Sequence, residues 1–383
     1  STASRAKALN NIVKIIDSLD FKTEDGKDIL ADVYMYLIGQ FAANAGKKGG
    51  EFYTPHEVSK ILAKIVTLGL PDDTEDFSVY DPAMGSGSLL LTVGLEVPNG
   101  DKEGVVTYYG QELNTSTYNM ARMNLMMNNV SYDNMNLHNS DTLEEDWPDG
   151  PDKDGINRPR SFDAVVANPP YSAKWDNNDT KLKDPRFSEY GKLAPKTKAD
   201  YAFVEHSIFH LNNDGTMAIV LPHGVLFRGA AELQIRKTLI EKNYIDAVIG
   251  LPANLFFGTS IPTIIMVLKK NKTDRNILFI DASNEFSKGK NQNTLTDEQV
   301  EKIVKTYEKR EDVEKYAHVA SFDEIKENDF NLNIPRYVDT FEEEEPIDLK
   351  ETMEKIKKDD EEIEKLKEEI NSMLKELGVE QTL

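Results

Sequence analysis

Between Phe77 and Ile280, short runs of apolar, often β-branched residues alternate with stretches of helical spacing. Strands that alternate with helices are typical of a mostly parallel sheet covered by helices on both faces. Strands are predicted at Phe77–Tyr80, Val105–Tyr109, Asn136–His138, Phe162–Ala167, Met217–Leu221, Ile245–Gly250, Thr263–Leu268 and Ile277–Ile280. The helices between them are predicted at Ser88–Glu96, Ser116–Asn128, Tyr201–Leu211 and Ala230–Lys242. The pattern therefore predicts a doubly wound α/β fold.

The connection between the last two predicted strands reads KKNKTDRN, which is only eight residues. A helical crossover between parallel strands needs a dozen residues or more, whereas antiparallel neighbours can be joined by a short turn. We therefore expect an antiparallel hairpin at this end of the sheet.

Helical spacing also flanks the sheet. Residues 5–45 are predicted to form two helices, and residues 294–316 an amphipathic helix. In the tail, apolar residues recur every seven positions, at Leu349, Ile356, Ile363, Ile370 and Leu377. A long, charged helix with such a stripe is predicted to pack on another helix, as in a coiled coil. The alternative is a helix that folds back on its own domain.

The amino-acid composition limits the classes of function that this chain can have. The chain has 383 residues, no cysteine and a net charge of −22. The absence of cysteine fits a cytoplasmic protein and excludes every thiolate mechanism. No apolar run reaches the ~18 residues of a membrane span, and the N-terminus has no secretory signal pattern. Because the chain does not begin with Met, we expect a partial chain.

The charge is unevenly distributed. Residues 342–380 hold 16 acids against seven lysines, whereas Lys174 to Lys198 holds seven bases against four acids. A protein that binds nucleic acid alone usually has a basic balance. If this chain binds nucleic acid, a partner is expected to supply most of the affinity, and the segment 174–198 is the place where phosphates would be favoured.

The stretch SVYDPAMGSGSLLL combines a strand, an acid, a glycine-bearing turn and a helix start. Gly85 and Gly87 allow the backbone to approach a ligand closely, and the helix N-terminus offers unpaired N–H groups. Leu90 stands where a dinucleotide fingerprint needs a third glycine, and no Walker lysine follows. The turn, with Asp81 at the strand tip, therefore suits a nucleoside or amino-acid ligand better than a polyphosphate. A purely structural turn remains the alternative.

Two more acids follow the next two strands. Glu112 in GQE is placed to accept ribose hydroxyls, and Asp141 in NSDTL is placed to accept a hydrogen bond from an adenine amino group. Either residue alone is more often a helix cap. Asp81, Glu112 and Asp141 together are more informative, because ligands of open α/β sheets bind along the carboxyl edge of the strands.

The fourth strand ends in Asn168, Pro169, Pro170 and Tyr171. The two prolines have fixed φ, which orients the Asn168 and Pro169 carbonyls, and Tyr171 offers a flat face. Together these groups form a slot for a planar group that carries an –NH2, although four residues alone can also be an ordinary turn.

The motifs EFYTP, DPAMGSGS, GQE, SDTL, NPPY and FFGTSIP occur in the order of the adenine-N6 DNA methyltransferases. More narrowly, the chain resembles the modification subunit of type I restriction–modification systems over roughly residues 5–340. The resemblance implies an S-adenosylmethionine-dependent methyltransferase (Rossmann-like) fold. It implies the end of an N-terminal helical domain at 1–48, the catalytic domain at 49–285, a helical extension at 286–341 and a C-terminal docking helix at 342–383.

The resemblance also implies residue roles. The strip that closes over the methionine end of S-adenosylmethionine would comprise Glu51, Phe52, Tyr53, Thr54, Pro55 and His56. The cofactor turn would comprise Asp81, near the amino group, with Gly85, Ser86, Gly87 and Ser88. Glu112 would bind the ribose and Asp141 the adenine of the cofactor. No metal is expected, and His56 and His223 are read as solvated or capping residues.

The target adenine would be held by Asn168, Pro169, Pro170 and Tyr171 after it is flipped out of double-stranded DNA. Phe256 or Phe257 would pack on its other face or rim, with core packing as the alternative. Lys181, Lys183 and Arg186 would contact DNA.

The implied partners are a specificity subunit bound through the C-terminal helix and, as a further candidate, a restriction subunit. Two modification subunits are expected per specificity subunit, and no membrane is expected. A protein-glutamine or N4-cytosine methyltransferase, and a non-catalytic assembly module, are the alternatives.

Overall fold

A nine-stranded sheet organises the chain in the computed structural model. The structure describes residues 54–147, 159–256, 259–289, 292–340 and 349–377, together with residues 7, 10, 11, 13–15, 36 and 37. Most of the predicted helical segment 5–45 lies outside the described residues. The chain divides into two compact units, Ser1–Asp339 and Thr340–Leu383.

The strands are β1 Phe77–Asp81, β2 Val106–Gln111, β3 Met135–His138, β4 Phe162–Ala167, β5 Leu211–Pro222, β6 Ile245–Gly250, β7 Thr263–Lys269, β8 Ile277–Asp281, β9 Ser287–Lys288, β10 Asn293–Thr294 and β11 Ala317–Ala320. The α-helices are α1 His56–Val66, α2 Ser88–Glu96, α3 Thr115–Met127, α4 Asp200–Phe209, α5 Ala230–Glu241, α6 Asp297–Lys309, α7 Phe322–Glu327 and α8 Leu349–Glu376. All eight predicted strands and the four predicted connecting helices are therefore present, with boundaries that differ by a few residues.

The strand order in the large sheet is β11-β8-β6-β7-β5-β4-β1-β2-β3. Strands β3, β2, β1, β4 and β5 are parallel neighbours, and β6 and β8 are also parallel. Strand β7 is antiparallel to both of its neighbours, β5 and β6, and β11 is antiparallel to β8. The predicted mostly parallel, doubly wound sheet is confirmed.

The predicted hairpin between β7 and β8 is wrong, because β6 lies between these two strands. The short connection passes over the amino end of β6 instead of turning back beside β7. Lys272 fixes this crossing, since its Nζ donates to the carbonyls of Ile245 at 2.8 Å and Asn276 at 2.7 Å. Eight residues are too few for a helix but enough to cross one strand.

Both faces of the sheet are buried. Along β1, for example, Val79 points into one apolar cluster and Tyr80 into the other, as the two-residue period of a strand requires. The first cluster includes side chains of α1, α2, α3 and α6, and the second includes side chains of α4, α5 and α7. Two separate cores on opposite faces make the sheet a rigid platform for the residues at its carboxyl edge.

The region after β8 is part of the first unit. Strand β11 extends the sheet by pairing Ala317–Ala320 with Ile277–Ile280, and α6 begins with a capping box of Thr296 and Gln299. The sequence did not predict β11. In the second unit, α8 is a 28-residue helix. None of the described helices is long and apolar enough to cross a membrane.

Candidate active site

Four predicted site segments meet at one edge of the sheet. Strands β4, β1, β2 and β3 lie side by side and run parallel, so their carboxyl ends bring together Asn168, Asp81, Glu112 and the segment that contains Asp141. Main-chain bonds lock these ends to each other, because Met84 N donates to Gln111 O and Glu112 N donates to His138 O, both at 3.0 Å. The alternation of strands and helices was sufficient to predict this convergence.

The turn after β1 is narrow and glycine-dependent. Gly85 and Gly87 have φ of 53° and 76°, the left-handed region that favours glycine. A Cβ on Gly87 would meet the Leu125 side chain at 2.7 Å. The Ser86 carbonyl accepts from Asn124 Nδ2 at 3.0 Å, which anchors the turn to α3. The backbone is therefore held open where a ligand would approach the N-terminus of α2.

Two carboxyl groups sit at this turn with raised pKa values. Asp81 is 2% exposed, and burial together with the Glu112 charge raises its pKa to about 8, against a hydrogen bond from Ala83 N at 2.9 Å. Burial also raises the pKa of Glu112, although the N–H groups of Asn114 and Gly85 donate to its two oxygens at 2.8 and 3.2 Å. Within the described part of the chain, no ion pair joins either carboxyl to a basic side chain. This edge of the site is therefore suited to a cationic ligand group.

Asp141 and Glu112 both accept main-chain hydrogen bonds, but neither is the N-cap of a described helix, since the N-cap of α3 is Asn114. Asp141 Oδ1 accepts from Leu143 N at 3.0 Å, and the Thr142 hydroxyl donates to Pro82 O at 2.5 Å. The helix-cap alternative therefore does not hold for either acid among the described helices. Both side chains are only partly buried, so they can also reach a ligand at the same edge.

The Asn168 side chain is fixed at both ends. Its Nδ2 donates to Thr54 Oγ1 at 3.0 Å, and the Tyr171 hydroxyl donates to its Oδ1 at 2.9 Å. Pro55 lies at the start of α1, so the first turn of that helix is brought to the tip of β4. His56 is exposed, and the predicted site residues Glu51, Phe52 and Tyr53 lie outside the described residues.

Tyr171 presents a half-buried ring at the same tip. Phe256, 3% exposed, packs against it edge-on, with ring centroids 6.0 Å apart and an interplanar angle of 79°. Phe256 is thus a core residue that supports the Tyr171 ring, which agrees with the core-packing alternative. Phe257 lies outside the described residues. After Tyr171 the chain turns sharply at Ser172, which has φ of 52° and whose N–H donates to Asp200 at 2.7 Å.

The predicted DNA contacts Lys181 and Arg186 do not fit the structure, because both side chains are buried, at 9% and 3% exposure. Lys181 Nζ donates to Leu143 O at 2.7 Å, and Arg186 Nη1 donates to Thr142 O at 2.8 Å. These two residues brace the segment that carries Asp141, whereas Lys183 is exposed. A count of charges along the sequence does not distinguish a buried cation that braces the fold from an exposed cation that can contact DNA.

Sequence reasoning also missed a buried polar network beneath the site. Gln111 is fully buried; it accepts from the Tyr80 hydroxyl and donates to Ser140 Oγ at 3.0 Å. Tyr80 also contacts His206 Nε2 at 2.7 Å. The four-residue spacing of His206 and His210 on a helix was the only available signal.

Asp146, His206 and His210 place three potential metal-ligating atoms within 4.8 Å of one another. However, the Arg186 guanidinium lies 3.1 Å from His206 Nδ1 and 3.6 Å from Asp146 Oδ1. The fixed positive charge of Arg186 disfavours a metal cation between these three side chains. Arg186 instead forms a polar network with Asp146 and His206.

These features define a doubly wound α/β protein whose carboxyl sheet edge carries the Asp81 and Glu112 carboxyl groups after β1 and β2 and the Asn168–Tyr171 segment after β4. A family model described as N-6 DNA Methylase matches residues 25–346. The chain therefore belongs to the N-6 DNA Methylase family.

Individual relatives agree. The chain is 43% identical over 354 residues to the type I restriction enzyme MpnII methylase subunit of Mycoplasma pneumoniae, covering 90% of this chain and 64% of that protein. It is 34% identical over 363 residues to the MjaVII methylase subunit of Methanocaldococcus jannaschii, covering 91% and 59%. The chain thus spans about 60% of the length of these relatives.

A crystal structure of a type I restriction–modification methyltransferase subunit from Streptococcus thermophilus is similar to this one. Its TM-score is 0.78 at 56% identity, with 85% of this chain and 67% of that chain covered. The two proteins therefore share their fold over most of this chain.

Proposed function

We propose that this chain transfers the methyl group of S-adenosylmethionine to the N6 amino group of adenine in DNA, in the cytoplasm, as the modification subunit of a type I restriction–modification complex. The observation that carries the proposal is the Asn168 amide, held between Thr54 and Tyr171 at the tip of β4, next to the nucleoside-type edge of β1–β3. The relatives' names favour the same activity.

The residues present fit S-adenosylmethionine. The buried Asp81 carboxyl, with its pKa raised to about 8, has no cationic partner among the described residues and would meet the ligand's ammonium group. Glu112 would accept the ribose hydroxyls and Asp141 the adenine amino group, with the Gly85–Ser88 backbone beneath. When bound, the cofactor supplies an electrophilic methyl group on its sulfonium.

The chain's own groups would position the base. Asn168 Oδ1 has two lone pairs, so it can accept from the Tyr171 hydroxyl and from an adenine N6–H together, while Pro169 O accepts the second N6–H. The Tyr171 ring would stack on the base. These contacts orient and polarise the amino nitrogen for in-line attack, and no strong general base is required to begin. An adenine reaches the slot only after it is flipped out of the duplex, which costs a few kcal/mol.

A partner would supply sequence recognition. With a net charge of −22, the chain is poorly suited to bind DNA alone. Helix α8 exposes a row of apolar side chains: Met353, Ile356, Ile363, Leu366, Ile370 and Met373. This row is the proposed docking surface for a specificity subunit, with two modification subunits per specificity subunit and a restriction subunit as a further partner.

The test is a methyl-transfer assay with tritiated S-adenosylmethionine, with and without the specificity subunit. Label is expected in N6-methyladenine only when that subunit is present, and Asn168→Ala is expected to abolish transfer while cofactor binding stays nearly intact. Label in N4-methylcytosine or in a protein glutamine would favour the alternative acceptors, which also carry –NH2 on a planar carbon. If no acceptor were methylated, a non-catalytic assembly module would be the remaining alternative. Without cysteine, the thiolate-dependent methylation of cytosine C5 is excluded.

A further inference from the structure

An exposed aromatic side chain lies beside the proposed base slot without a role in it. Phe227 is 47% exposed, in the segment that follows β5, the strand next to β4 in the sheet. Its ring contacts His223 edge-on, at a centroid distance of 5.7 Å. Ile261, 57% exposed, precedes β7, and its neighbour Pro262 accepts from His223 N at 3.3 Å. Phe227, His223 and Ile261 thus all lie at the sheet edge that carries Asn168, and these three residues are called the rim here.

This rim is joined to the base slot by a buried carboxylate. Arg228 Nη1 donates to Asp200 Oδ2 at 2.9 Å, and Asp200 Oδ1 accepts from Ser172 N, the residue after Tyr171, at 2.7 Å. Asp200 is 1% exposed, and Arg228 also donates to Glu232 at 3.1 Å. This chain of charged hydrogen bonds connects Arg228, the residue after Phe227, to Ser172, the residue after Tyr171, and so anchors the segment that carries Phe227 to the slot.

Two exposed lysines lie on the segments that follow the slot. These segments pair through Trp175 N to Lys196 O at 3.1 Å and Ala199 N to Ala173 O at 2.9 Å. This pairing brings the backbones of Lys174 and Lys196, whose side chains are both exposed, close together in a strongly acidic protein. Backbone phosphates of DNA would be favoured at these lysines.

We propose that Phe227 inserts into the base stack at the place that the flipped adenine leaves, an inference that rests on the proposed function. Extrusion of a base opens a gap between its neighbours, and large apolar side chains enter such gaps and offset the lost stacking. Phe227 has the required size, exposure and fixed position. It acts on the DNA and not on the cofactor or the amino group, so it is a positioning residue for the reaction.

The test compares two substrates that carry the sequence methylated in genomic DNA, in the complex with the specificity subunit. In one, the target adenine is paired with thymine; in the other, it faces an abasic site. Phe227→Ala is expected to slow methylation of the paired duplex about tenfold or more and to leave the unpaired substrate at the wild-type rate. Phe227→Trp is expected to restore the rate of methylation of the paired substrate. With 2-aminopurine at the target position, Phe227→Ala should reduce the fluorescence rise that reports extrusion.

The matched control is Tyr132→Ala. Tyr132 is 80% exposed and precedes β3 at its amino end, so this change should leave both substrates unaffected. Equal loss on both substrates, or no loss on either, with Phe227→Ala would overturn the insertion role while the proposed function stands. Absence of adenine methylation by the wild-type complex would overturn both.

Discussion

The raised pKa of Asp81 makes a specific prediction about ligand binding. In the ligand-free protein its carboxyl has a pKa of about 8, because burial and the neighbouring Glu112 disfavour the charged form. An ammonium group bound beside it favours the ionised form and lowers the pKa. S-adenosylmethionine should therefore displace the proton when it binds at a pH below 8. The informative perturbation is Asp81→Asn, which keeps the shape and removes the titration.

The size of the effect follows from the pKa. At pH 6.5 only about 3% of the Asp81 carboxyl is ionised, so binding should release about one proton and be about 30-fold weaker than with the acid fully ionised. The ligand's own amino group, with an ordinary pKa of about 8, is almost fully protonated at pH 6.5 and contributes little. Affinity should therefore rise with pH from 6 towards 8.

Isothermal titration calorimetry at pH 6.5, in buffers with different ionisation enthalpies, counts the released protons. We expect about one for the wild type and none for Asp81→Asn, whose affinity should not change between pH 6 and 7. A wild-type protein that binds without proton release, with the same affinity at pH 6 and 7, would refute the placement of the ammonium group at Asp81.

The same titration has a consequence for stability without ligand. The folded pKa lies above the unfolded value of about 4, so the folded protein retains a proton that the unfolded chain loses between pH 4 and 8. Stability should fall by about 1 kcal/mol per pH unit across this window through Asp81 alone. Asp81→Asn should remove that slope in denaturant titrations, and an unchanged slope would contradict the raised pKa.

Three further predictions concern the slot, the turn and the tail. Tyr171→Phe removes the hydroxyl that donates to Asn168, so the rate of methyl transfer should fall by about tenfold or less. Tyr171→Ala also removes the stacking surface and should lower the rate by about 100-fold. Equal losses in the two variants would show that the ring does not contribute by stacking. Gly87→Ala should destabilise the fold by about 1–3 kcal/mol in urea titrations, and by more than Gly69→Ala, which has a similar φ but open space around it. Ile363→Asp should abolish co-purification with the specificity subunit and leave S-adenosylmethionine affinity unchanged; retained co-purification would exclude this face of the tail.

The sequence predicted the sheet and the convergence of its tips because both depend on local periodicity. Alternating strands and helices are typical of a mostly parallel sheet, and such a sheet places the residues that follow neighbouring parallel strands at one edge. The position of Asp81, Glu112 and Asn168 at one edge of the sheet could therefore be predicted without coordinates. Local pattern also identified the glycine-dependent turn at Gly87, since a positive φ has a strong residue preference.

The incorrect or missing predictions concern features that depend on tertiary packing. The short link before Ile277 is compatible with a hairpin or with a crossing over one strand, and only packing of β6 between β7 and β8 decides between them. Strand β11 has four residues and no extended apolar run. Lys181 and Arg186 were predicted to be surface cations. In the structure their side chains are buried and donate to carbonyl groups of the segment that carries Asp141. Burial of a charge depends on its partners, which sequence spacing does not specify.

A crystal structure of the chain with S-adenosylhomocysteine would show whether the ligand binds at the tips of β1–β4. We expect the ligand's ammonium group beside Asp81, its ribose at Glu112, its adenine at Asp141 and its sulfur facing the Asn168 amide. A ligand bound away from Asn168 and Tyr171, with the strand tips vacant, would refute the proposed methyl transfer at this edge.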